Sequence, residues 1–406
     1  MTQVASAESE RGASLGRLVA GHVCLHACMA GMRMATPLLA LRQGETPLAV
    51  GVLLALFALT QVFLALPAGR YADRHGLRRP LAASVLAASL GAGAAVLFPI
   101  FPVLCISALL TGGATGAAAI ALQRHVGRAA RDATELKQMF SWLSLGPAIS
   151  NFLGPLCAGL LIDHAGAALG KGAGDLAGFR SAFLLMAVLP LMAWWSVHGL
   201  REQRPAVQAT PGTRRAWDLL RDPMMRRLLL VNWLLSSCWD VHTFVVPVLG
   251  HERDYSASVI GFLLGGFAAA AALVRLCMPW LAAHLREHIV ISMAMLMTAM
   301  LFGLYPFMPS AWSMGVCSAC LGLVLGSVQP MIMSTLHQIT PSDRHGEALG
   351  LRLMSLNGSS VMMPMLFGSI GAAVGVSAVF WFVGASVGLG ARWAWGLHPR
   401  ASAGPG

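Results

Sequence analysis

The sequence predicts an all-α membrane protein of twelve transmembrane helices in two pseudo-symmetric six-helix bundles. Three observations carry that expectation. Of 406 residues, 56% are hydrophobic and only 11% charged, against roughly a quarter charged in soluble proteins. The apolar residues fall in repeated runs of about 20, the length at which a helix crosses the ~30 Å hydrocarbon core. The two halves also echo each other at an offset of roughly 210 residues, the mark of a repeat-built membrane protein. Gly51-Val-Leu-Leu with Phe57 returns as Gly261-Phe-Leu-Leu with Phe267, and Glu135 followed by Gly146 returns as Glu347 followed by Gly358.

Taken in order, the first half gives spans near 18–41, 47–69, 80–98, 102–123, 139–162 and 179–200, broken by Gly, Pro and clusters of charge. The second half gives 227–249, 256–281, 287–307, 311–334, 347–372 and 376–396. Residues 1–200 and 227–406 are therefore read as the two bundles. Between them, 201–226 form a polar linker with a Pro/Gly/Thr centre flanked by Arg. The polar N-terminus lacks the short apolar core of a signal peptide, so the first span is expected to act as the insertion signal.

Charge placement orients the chain. The expected outer loops hold only Arg42, Lys171, Arg180 and Arg253, and four more arginines lie within spans, which leaves 20 of the 28 Lys and Arg on the other face. Positive residues stay on the cytoplasmic side, so both termini are expected there, in a cell inner membrane. The formal net charge of +11 then needs no nucleic-acid partner. All eight cysteines lie inside apolar runs and read as small buried hydrophobes rather than a disulfide framework.

Between the second and third spans runs Gly69-Arg-Tyr-Ala-Asp73-Arg74-His-Gly76-Leu-Arg78-Arg79. This segment resembles the loop signature of the major facilitator superfamily, G-x-L-A-D-R-x-G-R-R, departing at Tyr71 and Leu77. The resemblance implies a twelve-helix secondary transporter, with Gly69, Asp73, Arg74, Gly76 and Arg78 in a cytoplasmic latch that favours the outward-facing state. The equivalent place after span eight, Pro279 to Arg286, lacks the Asp and the Gly. In span five, Gly154-Pro155 and Gly159 match the glycines and proline of that family's antiporter signature, with Ser141, Ser150 and Ala158 where the family carries Gly. Span four has no Arg ahead of Gly112-Gly113, where many proton-driven members have one.

Ionisable residues inside spans cost roughly 2.5 to 3.5 kcal/mol each on insertion scales, so they tend to face a cavity. Arg33, His26 and His22 share one face of span one by helical spacing, and Asp240 lies near the middle of span seven. Arg33 either meets Asp240 across a central cavity, or binds an anionic group while Asp240 exchanges a proton, or snorkels to the outer interface. Arg275 and Arg352 either line the same pathway or snorkel to the cytoplasmic side. Arg392, beside Trp393 and Trp395, reads as an interfacial anchor. His242, two residues from Asp240, points elsewhere. Gln61, Asn151, Asn232, Gln329 and Asn357 are candidates for cavity lining or interhelical contact.

His22, Cys24, His26 and Cys28 raise a metal-site reading, but the His and Cys pairs face different ways, and the Cys317–Cys320 pair has no companion motif; no metal or other cofactor is expected. Phosphate-loop, GxSxG, HExxH and dinucleotide motifs are absent from the sequence, so it is read as a non-enzyme. The leading expectation is a proton-coupled exporter of small amphipathic compounds, acting as a monomer. The alternatives are an organic-anion transporter using the intramembrane arginines, and a membrane sensor that no longer transports.

Overall fold

The computed structural model describes residues 2–129, 133–168, 176–200, 216–281, 286–340 and 345–397. Twelve α-helices follow in order: α1 Thr2–Arg42, α2 Pro47–His75, α3 Arg78–Leu97, α4 Phe101–Ala129, α5 Ala133–Ala168, α6 Leu176–Val197, α7 Pro223–Glu252, α8 Ala257–Leu281, α9 Glu287–Leu304, α10 Ala311–Ile339, α11 His345–Val374 and α12 Val376–Trp395. No strand occurs among the described residues. Ten of the helices are long and apolar enough to cross a membrane. The other two, α5 with 36 residues and α11 with 30, are long enough but are interrupted by Pro, Gly, Ser and Asn. These are two of the helices that line the centre, where polar groups are tolerated.

The outside of the bundle is apolar. Phe63, Trp195, Trp312 and Leu389 each expose more than 60% of their surface. In water such a girdle would drive aggregation; in lipid it is the solvated surface.

Several helices run beyond the spans expected from hydropathy. The helix α7 starts at Pro223, inside the segment read as linker, and a 3₁₀ turn occupies Ala216–Arg221. The cause is local: Asp222 accepts the Met224 N–H at 2.9 Å as an N-cap, and Pro223 at the first helical position already has the φ a helix needs. Residues 201–215 of that linker lie outside the described residues.

Twelve antiparallel crossings bring both ends of the chain to one face, here the terminal face; the opposite one is the distal face. On the distal face the same turn is built twice, 210 residues apart. In the first copy Glu45 N–H bonds Ala40 O at 3.0 Å, Gly44 has φ 87° and Thr46 caps α2. In the second, Tyr255 N–H bonds Gly250 O at 2.9 Å, Asp254 has φ 55°, and Ser256 Oγ accepts the Val259 N–H at 3.3 Å. Gln43 reaches the Pro99 carbonyl, and its counterpart Arg253 reaches those of Pro306 and Met308. The repeat seen faintly in the sequence is thus preserved bond by bond.

Within each set of six the helices pack on one another, and across the sets the broad contacts are α5 with α8 and α2 with α11. Both seams use small residues at their distal ends. A Cβ at Gly261 would stand 2.6 Å from the Pro155 carbonyl oxygen, and one at Gly368 2.8 Å from that of Pro47; Gly159 lies against Ala257 and Gly51 against Pro364 in the same way. Without side chains there, backbones approach closely, which is the main source of helix affinity where no hydrophobic drive exists.

Asp254 is the one described non-glycine residue at positive φ, a conformation that costs an L-residue about 1 kcal/mol. Asp254→Gly should therefore raise the midpoint of thermal unfolding in detergent, and Asp254→Val should lower it. Equal midpoints for all three would show that the turn carries no strain.

Candidate functional site

The interior holds a cavity of about 800 Å³. It is lined at the middle of α7 by Leu235, Trp239 and Asp240, towards the terminal ends of α8 and α10 by Arg275 and Gln329, by Arg33 of α1, and by Ser360 of α11. The cavity thus occupies the half of the molecule nearer the terminal face. Above it, a small pocket of about 40 Å³ lies between Arg33, Asn151, Pro155, Trp239, Thr243 and Phe267. Arg33 and Trp239 border both spaces and form the ceiling of the larger one.

Asp240 is 4% exposed, and α11 supplies its partners. Ser359 donates to Oδ2 at 3.2 Å and Ser360 to Oδ1 at 3.3 Å. Helical spacing places Asp240 on the face of α7 that meets α11 and the cavity, while His242 turns towards α8 and α10. There His242 stacks on Phe267 at 4.1 Å, and its Nε2 lies 2.9 Å from Ser318 Oγ, itself 2.7 Å from the Tyr305 hydroxyl. The sequence reading separated these two residues correctly.

Arg33 does not run to the surface; it stays on the cavity wall, near enough to Asp240 for their charges to interact. Among the described residues no contact ion pair joins them. Arg275 lies over the Trp239 ring at 5.7 Å from its centroid, and its Nε is buried without a hydrogen-bond partner. Arg352 stands behind the wall, 9% exposed, and donates to Gln329 Oε1. The Gln329 amide oxygen is therefore occupied, and its NH₂ group is left as a donor at the cavity. His26 stays beside His22, with ring centroids 6.0 Å apart, and His22 bonds the Leu143 carbonyl of α5. His22 thus belongs to the α1–α5 contact, and neither histidine is among the residues that line the cavity. Arg392 lies over the neighbouring Trp393 ring, as an interfacial anchor would.

The glycines of α5 work on two sides. A Cβ at Gly154 would stand 2.8 Å from Ala27 O and Gly31 N of α1, whereas Gly159 and the Pro155 carbonyl face α8 across the seam. At the distal end Asp163 accepts the N–H groups of Ala257 at 3.1 Å and Ser258 at 2.5 Å. It caps α8 from the opposite bundle, where the helix dipole favours a carboxylate. The sequence reading missed Asp163, Ser359, Ser360 and Trp239. Asp163 alone left a trace, as an acid one helical turn beyond Gly159.

In the loop after α2, Gly76 takes φ 73° as the C-cap, a conformation suited to glycine. Arg78 donates to the Leu200 carbonyl at 2.8 Å, Arg74 is exposed, and Gly69 is half-buried in α2. The Asp73 side chain lies outside the described residues.

A cavity in the half nearer the terminal face, lined by charged side chains and lying beneath close-packed distal seams, is an arrangement suited to a membrane transporter. The Major Facilitator Superfamily model matches residues 18–249 and again 228–405. The chain belongs to that superfamily. It is similar to the class D tetracycline resistance protein of Salmonella ordonez, 26% identical over 335 residues and 79% of each chain. It is also 27% identical over 226 residues to the enterobactin exporter EntS of Escherichia coli O127:H6, across 55% of this chain and 52% of that protein. Among solved structures, a bacterial homologue of the human lysosomal transporter Spinster, in an inward-facing and occupied conformation, superposes with a TM-score of 0.81 at 13% identity, over 95% of this chain and 96% of that one. A D-xylose–proton symporter gives 0.76 at 13%, over 96% and 98%.

Removing the Asp163 cap by Asp163→Ala should weaken distal closure by about 1 kcal/mol, a roughly five-fold shift in population. Spin labels at Arg180 and Glu252, exposed distal positions on α6 and α7, report it as a longer inter-bundle distance. An unchanged distance distribution would remove Asp163 from the gate.

Proposed function

We propose that this chain is a proton-coupled exporter of small amphipathic compounds in a bacterial inner membrane, with the terminal face cytoplasmic. The observation that carries the reading is Asp240, the one carboxylate among the described residues of the cavity wall, held by two serine hydroxyls and near an arginine with which it makes no contact ion pair. In this conformation the cavity loads from the cytoplasm. Residues 1–200 and 227–406 then rock as two bundles joined by the linker 201–226. The α2–α11 and α5–α8 seams part at their distal ends while the terminal ends close. The similarity to EntS, an enterobactin exporter, supports export, and that to a tetracycline resistance protein supports a small organic substrate. The cavity is complete within one chain, so a monomer suffices.

Asp240 serves as the proton site. A carboxylate beside Arg33 is stabilised as an anion; proton arrival from outside neutralises it and releases Arg33, and the proton leaves once the cavity faces the cytoplasm again. Closure of the terminal face falls to the loop after α2, where Asp73, with Gly69, Arg74, Gly76 and Arg78, forms the latch of the outward-facing state. The antiporter-like stretch Gly154, Pro155 and Gly159 is the bearing on which α5 moves against α1 and α8.

In proteoliposomes with an imposed pH gradient, Asp240→Asn should abolish gradient-driven substrate movement, and any residual flux should no longer depend on pH. Gradient-driven flux that survives the substitution would exclude Asp240 as the proton carrier. Asp73→Asn should cut flux several-fold at near-normal expression, and full flux would remove the latch role.

A further inference from the structure

The cavity charges are unlike and do not cancel. Asp240 has Arg33 as its electrostatic neighbour, but among the described residues Arg275 has no carboxylate partner and rests against an indole ring, with its Nε buried and unbonded. A guanidinium inside a membrane protein is retained at a cost, and an unmatched one lining a cavity is a site for an acidic group. Gln329 adds a second donor at the same wall, because Arg352 occupies its amide oxygen. Trp239, flanked by Arg275 and by Phe267, adds an aromatic apolar wall to the same cavity that Asp240 borders. The volume of about 800 Å³ suits a molecule of drug size.

From this arrangement we infer that the transported compounds are aromatic and amphoteric. Their acidic group is held by Arg275 and Gln329, their ring lies against Trp239, and an ammonium or other donor group at the far end reaches Asp240. The inference rests on the exporter reading and follows from the sign of the coupling. A simple anion binds better when Asp240 is protonated, because the field around Arg33 and Arg275 is then more positive; such a compound would travel with the proton. Export against an incoming proton requires the two to compete for one group. A donor on the substrate does so at Asp240, while the acid on Arg275 fixes its orientation. No covalent step is involved: the proton leaves Asp240 for water as the donor takes its place.

Three probes with one ring system separate the possibilities. These are 6-(aminomethyl)-2-naphthoate, which has both groups, 2-naphthoate, and 2-naphthylmethylammonium. Binding to the purified full chain in detergent by equilibrium dialysis should be tightest for the first, and Arg275→Gln should weaken it at least about ten-fold, or 1.4 kcal/mol. Arg275→Lys should lose less, since the charge is kept without the planar fork. Raising the pH from 6 to 8 should strengthen binding of the amphoteric probe and weaken that of 2-naphthoate. Binding of 2-naphthylmethylammonium as tight as that of the amphoteric probe, or an Arg275→Gln protein with unchanged affinity, overturns the proposal. If Arg275→Gln lowers the ligand-free unfolding midpoint, the probe order and the opposite pH trends in the unaltered chain decide instead, and a shared pH trend overturns it. If the amphoteric probe binds through Arg275 but is not moved by a pH gradient in proteoliposomes, the substrate class stands and the exporter reading falls. Gradient-driven movement of the ammonium probe alone gives the reverse.

Discussion

Keeping charge inside hydrocarbon sets the terms for everything else in this molecule. Arg33, Asp240 and Arg275 lie deep in helices, where insertion costs roughly 2.5 to 3.5 kcal/mol apiece, and they are affordable only while water reaches them. The helices therefore leave a cavity beside these side chains in the half nearer the terminal face, and pack closely at their distal ends. The small residues of the α2–α11 and α5–α8 seams make that closure, and the cavity beneath it is the room the charges require.

The closure and the site are parts of one helix register. On α5, Gly154 sets the distance to α1, the Pro155 carbonyl and Gly159 set the distance to α8, and Asp163 holds the start of α8. On α11, Ser359 and Ser360 hold Asp240, and Pro364 and Gly368 four to nine residues on meet α2. The helix that holds Asp240 thus also carries half of the distal closure. Coupling needs no longer path than two turns of α11.

Hydropathy made the twelve helices legible, since a segment of about 20 apolar residues has few other uses. The loop signature gave the family, and the cost of buried charge singled out Arg33, Asp240, Arg275 and Arg352. Serine at positions 359 and 360 was not legible, because a hydroxyl on a membrane helix bonds its own backbone as readily as a neighbour. Trp239 was hidden for a similar reason: an indole in an apolar run looks like packing until a guanidinium is seen above it. His26 shared a spacing with Arg33, but it stays beside His22, which bonds α5, while Arg33 borders the cavity.

The two seams match except at one point. Position 163 carries a carboxylate against two backbone donors of α8, whereas its counterpart 210 residues later is Ala373, and the helix it would meet begins with Pro47, which has no N–H to offer. Duplication produced two equivalent closures and divergence armed only one of them. The twofold relation between the bundles is therefore structural but not energetic: among the described residues, unzipping breaks charge-assisted bonds on one flank and none on the other. Motion that begins on the cheaper flank would be a twist, not a symmetric parting.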